Sequence, residues 1–375
     1  MKTFFLIAGE TSGDLIGSDL IHTLKRKLPE SHFHGAGGTR MLAAGQNQTV
    51  DLTEHAVIGI LEVLRHYPKF KNFFNRLIQQ CVSLQPNAII LIDSPGFNLR
   101  FLTKIRPLLP HTKIFYYVSP QLWAWKPGRA KILEQYVDHL FCIFPFEPDW
   151  YQLHAPKLKA TWVGHPLLDR LFPLDPHQKK SDKTTIALLP GSRKREIQKH
   201  LPRLLEAAQI ISSFRANLTF ICLAPTPALA EFERKVIETH LGLSLDLQVL
   251  TGYTATYLSR SNLALVTSGT ATLECAFAKT PMIVFYHVNP LTYALGKLLV
   301  KVPYLAMVNL LLNKPSIPEL LQNRATPARL ARAALEMLAS ETRQKKQQQD
   351  LTQAIDLLGS PGASQRTAQL IAESI

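Results

Sequence analysis

The sequence predicts an α/β chain of two doubly wound domains, each a parallel sheet covered by helices, facing each other across a cleft. Three observations lead there. Short apolar runs alternate with longer amphipathic ones along most of the chain, the pattern of βα repeats and parallel sheets. At 375 residues the chain is too long for one ordinary core. A polar, proline-bearing, unpatterned stretch from Phe172 to Lys183 divides it. The expected layout is a first domain over 1–171, a linker over 172–183, a second domain over 184–345, and closing helices over 346–375. The last segment, Gly362–Ile375, either folds back on the first domain or exchanges with a partner in a homodimer.

Taken in order, the first domain has candidate strands at Thr3–Ala8, Ala88–Ile92, Lys113–Val118, His139–Phe144 and Ala160–Val163, with helical stretches such as Leu15–Leu28 and Pro68–Ser83 between them. The second has Thr184–Leu189, Leu218–Leu223, Leu245–Leu250, Leu263–Thr267 and Pro281–Tyr286. After Arg193, Ile197, Leu201, Leu204, Leu205 and Ala208 recur at helical spacing. The Lys/Gln-rich Thr342–Gln349 reads as a solvated helix face, because apolar spacing resumes at Leu351.

Composition narrows the class. Hydrophobic content of 46% with 19% charged residues belongs to a folded chain. Forty-two Lys+Arg against 28 Asp+Glu leave a formal charge of +14, which favours polyanionic partners: nucleic acid, an anionic membrane face or phosphorylated substrates. Cys81, Cys142, Cys222 and Cys275 are dispersed in apolar surroundings, so they read as core residues and not as a zinc site or disulfide framework. The apolar start before Gly9 is too short for a signal peptide, and no run of about 18 apolar residues exists to span a membrane.

In open parallel sheets, ligands collect at the carboxyl ends of strands, and the motifs fall there. Ala187-Leu-Leu-Pro-Gly-Ser-Arg193 and Leu265-Val-Thr-Ser-Gly-Thr-Ala-Thr-Leu-Glu274 are strand-to-helix junctions suited to a diphosphate. A helix start offers unpaired N–H groups and a favourable dipole, glycine allows close approach, and Arg193 adds a planar set of donors. Gly191, Ser192 and Arg193, then Ser268, Gly269, Thr270, Ala271 and Thr272, are the candidate binders, with Glu274 placed for a ribose diol. The ordinary alternatives are a plain serine cap and an acidic first turn, the latter worth about 0.3–1 kcal/mol. No Asp-x-Asp pattern occurs, so neither a metal nor another cofactor is expected, and leaving-group charge would fall to Arg193 and the helix start.

In the first domain, Ala8-Gly-Glu-Thr-Ser-Gly-Asp14 departs from the dinucleotide fingerprint, since Glu10 and Asp14 would repel a pyrophosphate. It suits sugar hydroxyls, or is a glycine turn with Asp14 as a cap. In Ile92-Asp-Ser-Pro-Gly-Phe-Asn98, Asp93 is either a general base or the cap of a turn shaped by Pro95 and Gly96. Trp123 and Trp125 either stack on a sugar or acyl chain, with Lys126 and Arg129 meeting phosphate, or fill the core. Arg65-His-Tyr-Pro-Lys-Phe-Lys71 precedes a basic amphipathic face of Phe70, Phe73, Phe74, Leu77, Ile78 and Cys81. That face packs on the sheet, and its flanking basic and aromatic residues suit a membrane interface.

Together these segments resemble the lipid-A-disaccharide synthase family, inverting glycosyltransferases of the GT-B fold, whose two domains are Rossmann-like. The resemblance rests on Gly9-Glu-Thr-Ser-Gly-Asp14, Ile58-Gly-Ile-Leu-Glu-Val-Leu64, Asp93-Ser-Pro-Gly-Phe-Asn98, Tyr117-Val-Ser-Pro through Trp125, Pro145-Phe-Glu147, Val163-Gly-His-Pro166, Leu189-Pro-Gly-Ser-Arg193 with Glu196-Ile197, Ser268–Glu274 and Pro318-Glu-Leu320. It implies condensation of UDP-2,3-diacylglucosamine with the 6-hydroxyl of 2,3-diacylglucosamine 1-phosphate, giving lipid A disaccharide 1-phosphate and UDP. It also implies nucleotide contacts at Asn309 and Glu319, and acceptor or acyl contacts at Ser12, Gly13, Glu62, Asn98, Ser119, Trp123 and Trp125. A peripheral place on the cytoplasmic face of the inner membrane, without nucleic acid, goes with it. One departure matters: where the family usually carries a second aspartate in the Asp93 stretch, this chain has Gly96, and another acidic position is Asn87. Asp93 is then the expected base, with Glu10 and Asp14 behind it. The neighbouring possibilities are another GT-B enzyme on UDP-N-acetylglucosamine (a 2-epimerase or a muropeptide transferase) and a non-catalytic binder.

Overall fold

The computed structural model describes residues 1–52, 67–171, 183–240, 245–252 and 254–375. The proposed linker up to residue 182 and Glu62, with the rest of the 57–66 stretch, lie outside the described residues. The chain forms two compact units, Met1–Arg170 with Leu358–Ile375, and Leu171–Leu357.

The first unit holds β1 (Lys2–Ala8), β2 (Ser31–Gly37), β3 (Gln46–Asp51), β4 (Ala88–Ile92), β5 (Lys113–Tyr117), β6 (His139–Cys142) and β7 (Ala160–Trp162). All pairings are parallel, in the order β3-β2-β1-β4-β5-β6-β7. Sequence neighbours diverge between β1 and β4, so the doubly wound switch point lies there. Phe4–Ala8 and Ala88–Ile92 are wholly buried, as continuous apolar runs in a parallel sheet covered on both faces must be.

The second unit holds β8 (Thr184–Leu189), β9 (Leu218–Ala224), β10 (Leu247–Thr251), β11 (Leu263–Thr267), β12 (Met282–Tyr286) and β13 (Glu319–Leu321), all parallel, in the order β10-β9-β8-β11-β12-β13. Its two cores show the period of two along a strand. Ile186, Leu188, Phe220, Leu263, Leu265 and Ile283 pack on one face with Ile197, Leu201 and Leu204 of the Lys194–Phe214 helix. Ala187, Leu189, Ile221, Ala264, Val266 and Val284 pack on the other. The switch point here is between β8 and β11.

Strands β2, β3 and β13 were not foreseen. Ser-His-Phe-His-Gly-Ala-Gly and Gln-Asn-Gln-Thr-Val-Asp lack an apolar run, and Glu-Leu-Leu is too short to register. Gly35 shows why β2 needs its glycine: with φ +130°, a Cβ there would sit 2.0 Å from the Leu6 carbonyl oxygen. The closing residues divide. The Glu341–Asp356 helix belongs to the second unit, while the Ala363–Ala372 helix belongs to the first. There the Asp169 carboxylate accepts from the N–H groups of Gly362 (2.5 Å), Ala363 (3.0 Å) and Ser364 (2.9 Å), and Arg366 Nε donates to the Val163 carbonyl (2.7 Å). Gly164 makes room for this, since a Cβ on it would lie 2.5 Å from Arg366 Nη2. The Val163-Gly-His-Pro166 motif is thus the seat of the last helix. Among the described residues no helix is long and apolar enough to cross a membrane.

Candidate active site

At the switch point of the first sheet, two strand ends touch: a Cβ on Gly9 would lie 2.7 Å from Ser94 Oγ. Asp93 and Ser94 both hold left-handed backbone, at φ +48° and +44°, and Val118 at the end of β5 does so at +62°. Such conformations cost about 1–3 kcal/mol each in non-glycine residues and persist where the surroundings over-determine them. Here the Asp93 N–H donates to Tyr117 O (3.0 Å), while the Asp93 carbonyl accepts from Tyr116 Oη (2.5 Å) and Asn98 Nδ2 (2.8 Å). Asn98 Nδ2 also reaches the Ile92 carbonyl at 3.1 Å. The result is a rigid turn with a half-buried Asp93 carboxylate at the strand end. Glu10 caps the Thr11–Lys27 helix beside it without a side-chain capping bond, and Ser12 is exposed. Gly13 is buried against Ala8 and Ile92.

Several expected ligand-binding side chains carry internal hydrogen bonds. Asp14 is buried, and its carboxylate accepts from the N–H groups of Gly38 (2.7 Å), Arg40 (3.1 Å) and Met41 (3.0 Å), capping the Thr39–Ala43 helix and not its own. Asn98 clamps the Asp93 turn. Ser119 Oγ and Trp123 Nε1 both donate to Glu147, at 2.5 and 3.0 Å. Asn309 Nδ2 donates to Glu319 Oε1 (2.8 Å), and the Glu319 carboxylate also accepts the Leu305 and Ala306 N–H groups at 2.9 Å each. Each polar group, once buried, takes the nearest available partner, which residue spacing does not reveal.

Glu147 closes the Pro145-Phe-Glu147 motif. It is fully buried, with Ser119 Oγ, Trp123 Nε1 and the N–H groups of Ile143 (2.9 Å) and Phe144 (3.0 Å) around its carboxylate. Burial pushes its pKa up to about 7 against the pull of those donors. It anchors the loop that presents Trp125, a half-exposed ring with Lys126 Nζ at 4.3 Å and Arg129 Cζ at 5.7 Å from its centroid.

In the second unit the two junctions end adjacent strands, β8 and β11, with Leu189 paired to Val266. After β11, Ser268 Oγ donates to Leu305 O (3.0 Å) and Thr272 Oγ1 to Gly269 O (2.7 Å). Gly269 has φ +148° and open space around its Cβ position; it and Thr270 are exposed, and the Thr270–Phe277 helix starts there with Ala271 and Glu274 half-buried. After β8, Gly191 has φ +130°, and Glu196 folds back over it. Glu196 accepts from Ser192 N–H (3.0 Å) and pairs with Arg193 Nη1 at 3.4 Å. The carboxylate reaches back past the Arg193 N-cap, so the first junction is partly filled by its own side chain. Arg193 remains 54% exposed.

A residue outside the motifs holds that junction. His200 is buried, with Nδ1 3.0 Å from the Pro190 carbonyl and Nε2 facing the main chain of His287. Burial lowers its pKa. Its two ring nitrogens face carbonyl oxygens, Nδ1 that of Pro190 and Nε2 that of His287, each at 3.0 Å, with the His287 N–H 3.4 Å from Nε2. Its only signal in the sequence is a polar position on an apolar helix face.

Two doubly wound units, each with small, hydroxylated or strained turns at its switch point, have the architecture of GT-B enzymes. The fold agrees with solved structures at low identity: the UDP-GlcNAc 2-epimerase of Neisseria meningitidis bound to UDP-GlcNAc (TM-score 0.66, 11% identity, all of both chains) and CalG4, the calicheamicin glycosyltransferase (TM-score 0.62, 11% identity, 100% of this chain and 98% of that one). Sequence decides the family. Residues 4–374 match the family model for lipid-A-disaccharide synthetase. The chain is 35% identical to the lipid-A-disaccharide synthase of Solibacter usitatus over 382 residues (100% of this chain, 97% of that protein) and 34% identical to that of Myxococcus xanthus over 377 (98% and 96%). The chain belongs to the lipid-A-disaccharide synthetase family, and is a glycosyltransferase of lipid A biosynthesis.

Proposed function

We propose that this protein transfers the diacylglucosaminyl group of UDP-2,3-diacylglucosamine, with inversion, to the 6-hydroxyl of 2,3-diacylglucosamine 1-phosphate. The acceptor oxygen forms its bond to the anomeric carbon as the bond to the diphosphate breaks. Asp93 takes the hydroxyl proton; general-base help of this kind is worth roughly a hundred- to ten-thousandfold. UDP leaves with its charge met by Arg193 and the helix start at Gly269–Thr270, and Glu274 meets the ribose diol. The observation that carries this assignment is the exposed glycine-led helix start after β11, with the exposed Arg193 in the turn after the adjacent strand β8. On substrate arrival Arg193 exchanges its pair with Glu196 for the diphosphate, while the Ser192 N–H stays on the Glu196 carboxylate. Asp14, Asn98, Ser119, Trp123, Asn309 and Glu319 act as scaffold, and Trp125 with Lys126 and Arg129 meets the acceptor. Because both substrates are acylated, the enzyme works as a peripheral protein on an anionic membrane face, which suits the +14 charge.

The test is UDP release from the two acylated substrates by the parent protein, Asp93→Ala and Arg193→Ala. Both variants should lose at least about a hundredfold in turnover, and only Arg193→Ala should also weaken UDP binding. An Asp93→Ala protein of normal speed would remove Asp93 from the base role. Formation of free N-acetylmannosamine from UDP-N-acetylglucosamine would replace the reading with epimerisation.

A further inference from the structure

We propose that Leu298, Leu299 and Val300, bracketed by Lys297 and Lys301 at the end of the Pro290–Leu299 helix, form a docking tip for an anionic lipid bilayer. These three consecutive aliphatic side chains are 81%, 42% and 43% exposed. Open apolar surface of this kind is unfavourable in water and marks a contact. Its chemistry names the occupant. Both flanking lysines are exposed, and Lys297 Nζ stands 5.9 Å from the Tyr293 ring centroid. Beside the tip lies an open cleft of about 370 Å³, lined by Tyr293, Lys297, Glu319, Gln322 and Arg324. Lys297 and Arg324 suit a phosphate headgroup there, while the aliphatics enter the acyl boundary. A second copy fits poorly: three side chains fall far short of the roughly 800 Å² per partner of a stable interface, and two chains of +14 repel.

This inference names a surface for the peripheral-membrane reading above and rests on it. The probe is binding to vesicles of phosphatidylglycerol and phosphatidylcholine, compared with phosphatidylcholine alone. The parent should bind the anionic vesicles. L298S/L299S/V300S should bind them at least about tenfold more weakly, and K297Q/K301Q about thirtyfold more weakly. The serine variant should keep the parent's thermal melt and its UDP release from detergent-dispersed substrates. Leu298→Trp should gain a vesicle-dependent blue shift absent from the parent. Equal vesicle binding by the parent and both multiple variants overturns the tip and leaves the membrane reading to another surface. A parent that ignores anionic vesicles overturns both. Self-association of the parent that the serine variant abolishes, with vesicle binding unchanged, makes the face an interface between copies and also overturns the proposal.

Discussion

Asp93 stands where a strained turn has been fixed from three sides, by Tyr116, Asn98 and the β5 main chain. Its neighbour Gly96 is exposed, and a Cβ there would meet nothing within 4 Å. The backbone at Gly96 therefore does not require glycine. Gly96→Asp should melt within about 0.5 kcal/mol of the parent and turn over faster, by placing a second carboxylate in the same turn. Thermal melts and UDP release check this together; a stable variant no faster than the parent would mean that Asp93 alone suffices. Asp14 shows the limit of reading single residues. An acid after a strand suggested either chemistry or a cap, and the cap it provides belongs to a helix 25 residues further on, beginning at Thr39. That partner exists only once β2 has paired with β1.

At the scale of elements, most strands that were legible are those buried on both faces, because continuous aliphatic runs record that burial directly, and the half-exposed edge strands β7 and β10 were legible as shorter apolar runs. Edge strands such as β3 and β13 have one paired side and polar or few residues, so their pattern is weak. The two strand-to-helix junctions were legible because strand, small residues and helix are contiguous in sequence. Glu147 and His200 were not, since their partners come from distant segments. The last helix belongs to the same lesson, its seat being Asp169 and the loop at Gly164. Asp169→Ala removes three acceptor contacts at a helix N-terminus and should destabilise the first unit by about 2 kcal/mol or more. Urea denaturation followed by circular dichroism measures it, and an unchanged midpoint would deny the cap its role.

Across the whole molecule, buried ionisable groups set opposing limits with pH. Glu233 is buried, neither oxygen has an ordinary hydrogen-bond partner among the described residues, and burial raises its pKa from 4.5 to about 7. The folded state then holds a proton that the unfolded chain releases, so this contribution is intact below about pH 4.5 and is lost as pH rises to about 7. His139 and His165 are lowered from 6.5 to about 4 by burial. The unfolded chain takes up their protons first, so stability falls as pH drops from 6.5 toward 4. Glu233→Gln should abolish most of the alkaline-side loss, up to about 3 kcal/mol, in melts between pH 5 and 8. Parallel curves for parent and variant would show Glu233 ionised in the fold.

The catalytic proposal converges on one position in space: where the diphosphate of UDP rests. A crystal structure of the UDP complex measures it directly. The account predicts phosphate oxygens within hydrogen-bonding distance of the N–H groups at Gly269–Ala271, with the Arg193 guanidinium turned from Glu196 onto them. Diphosphate held elsewhere, with Arg193 still paired to Glu196, would contradict it.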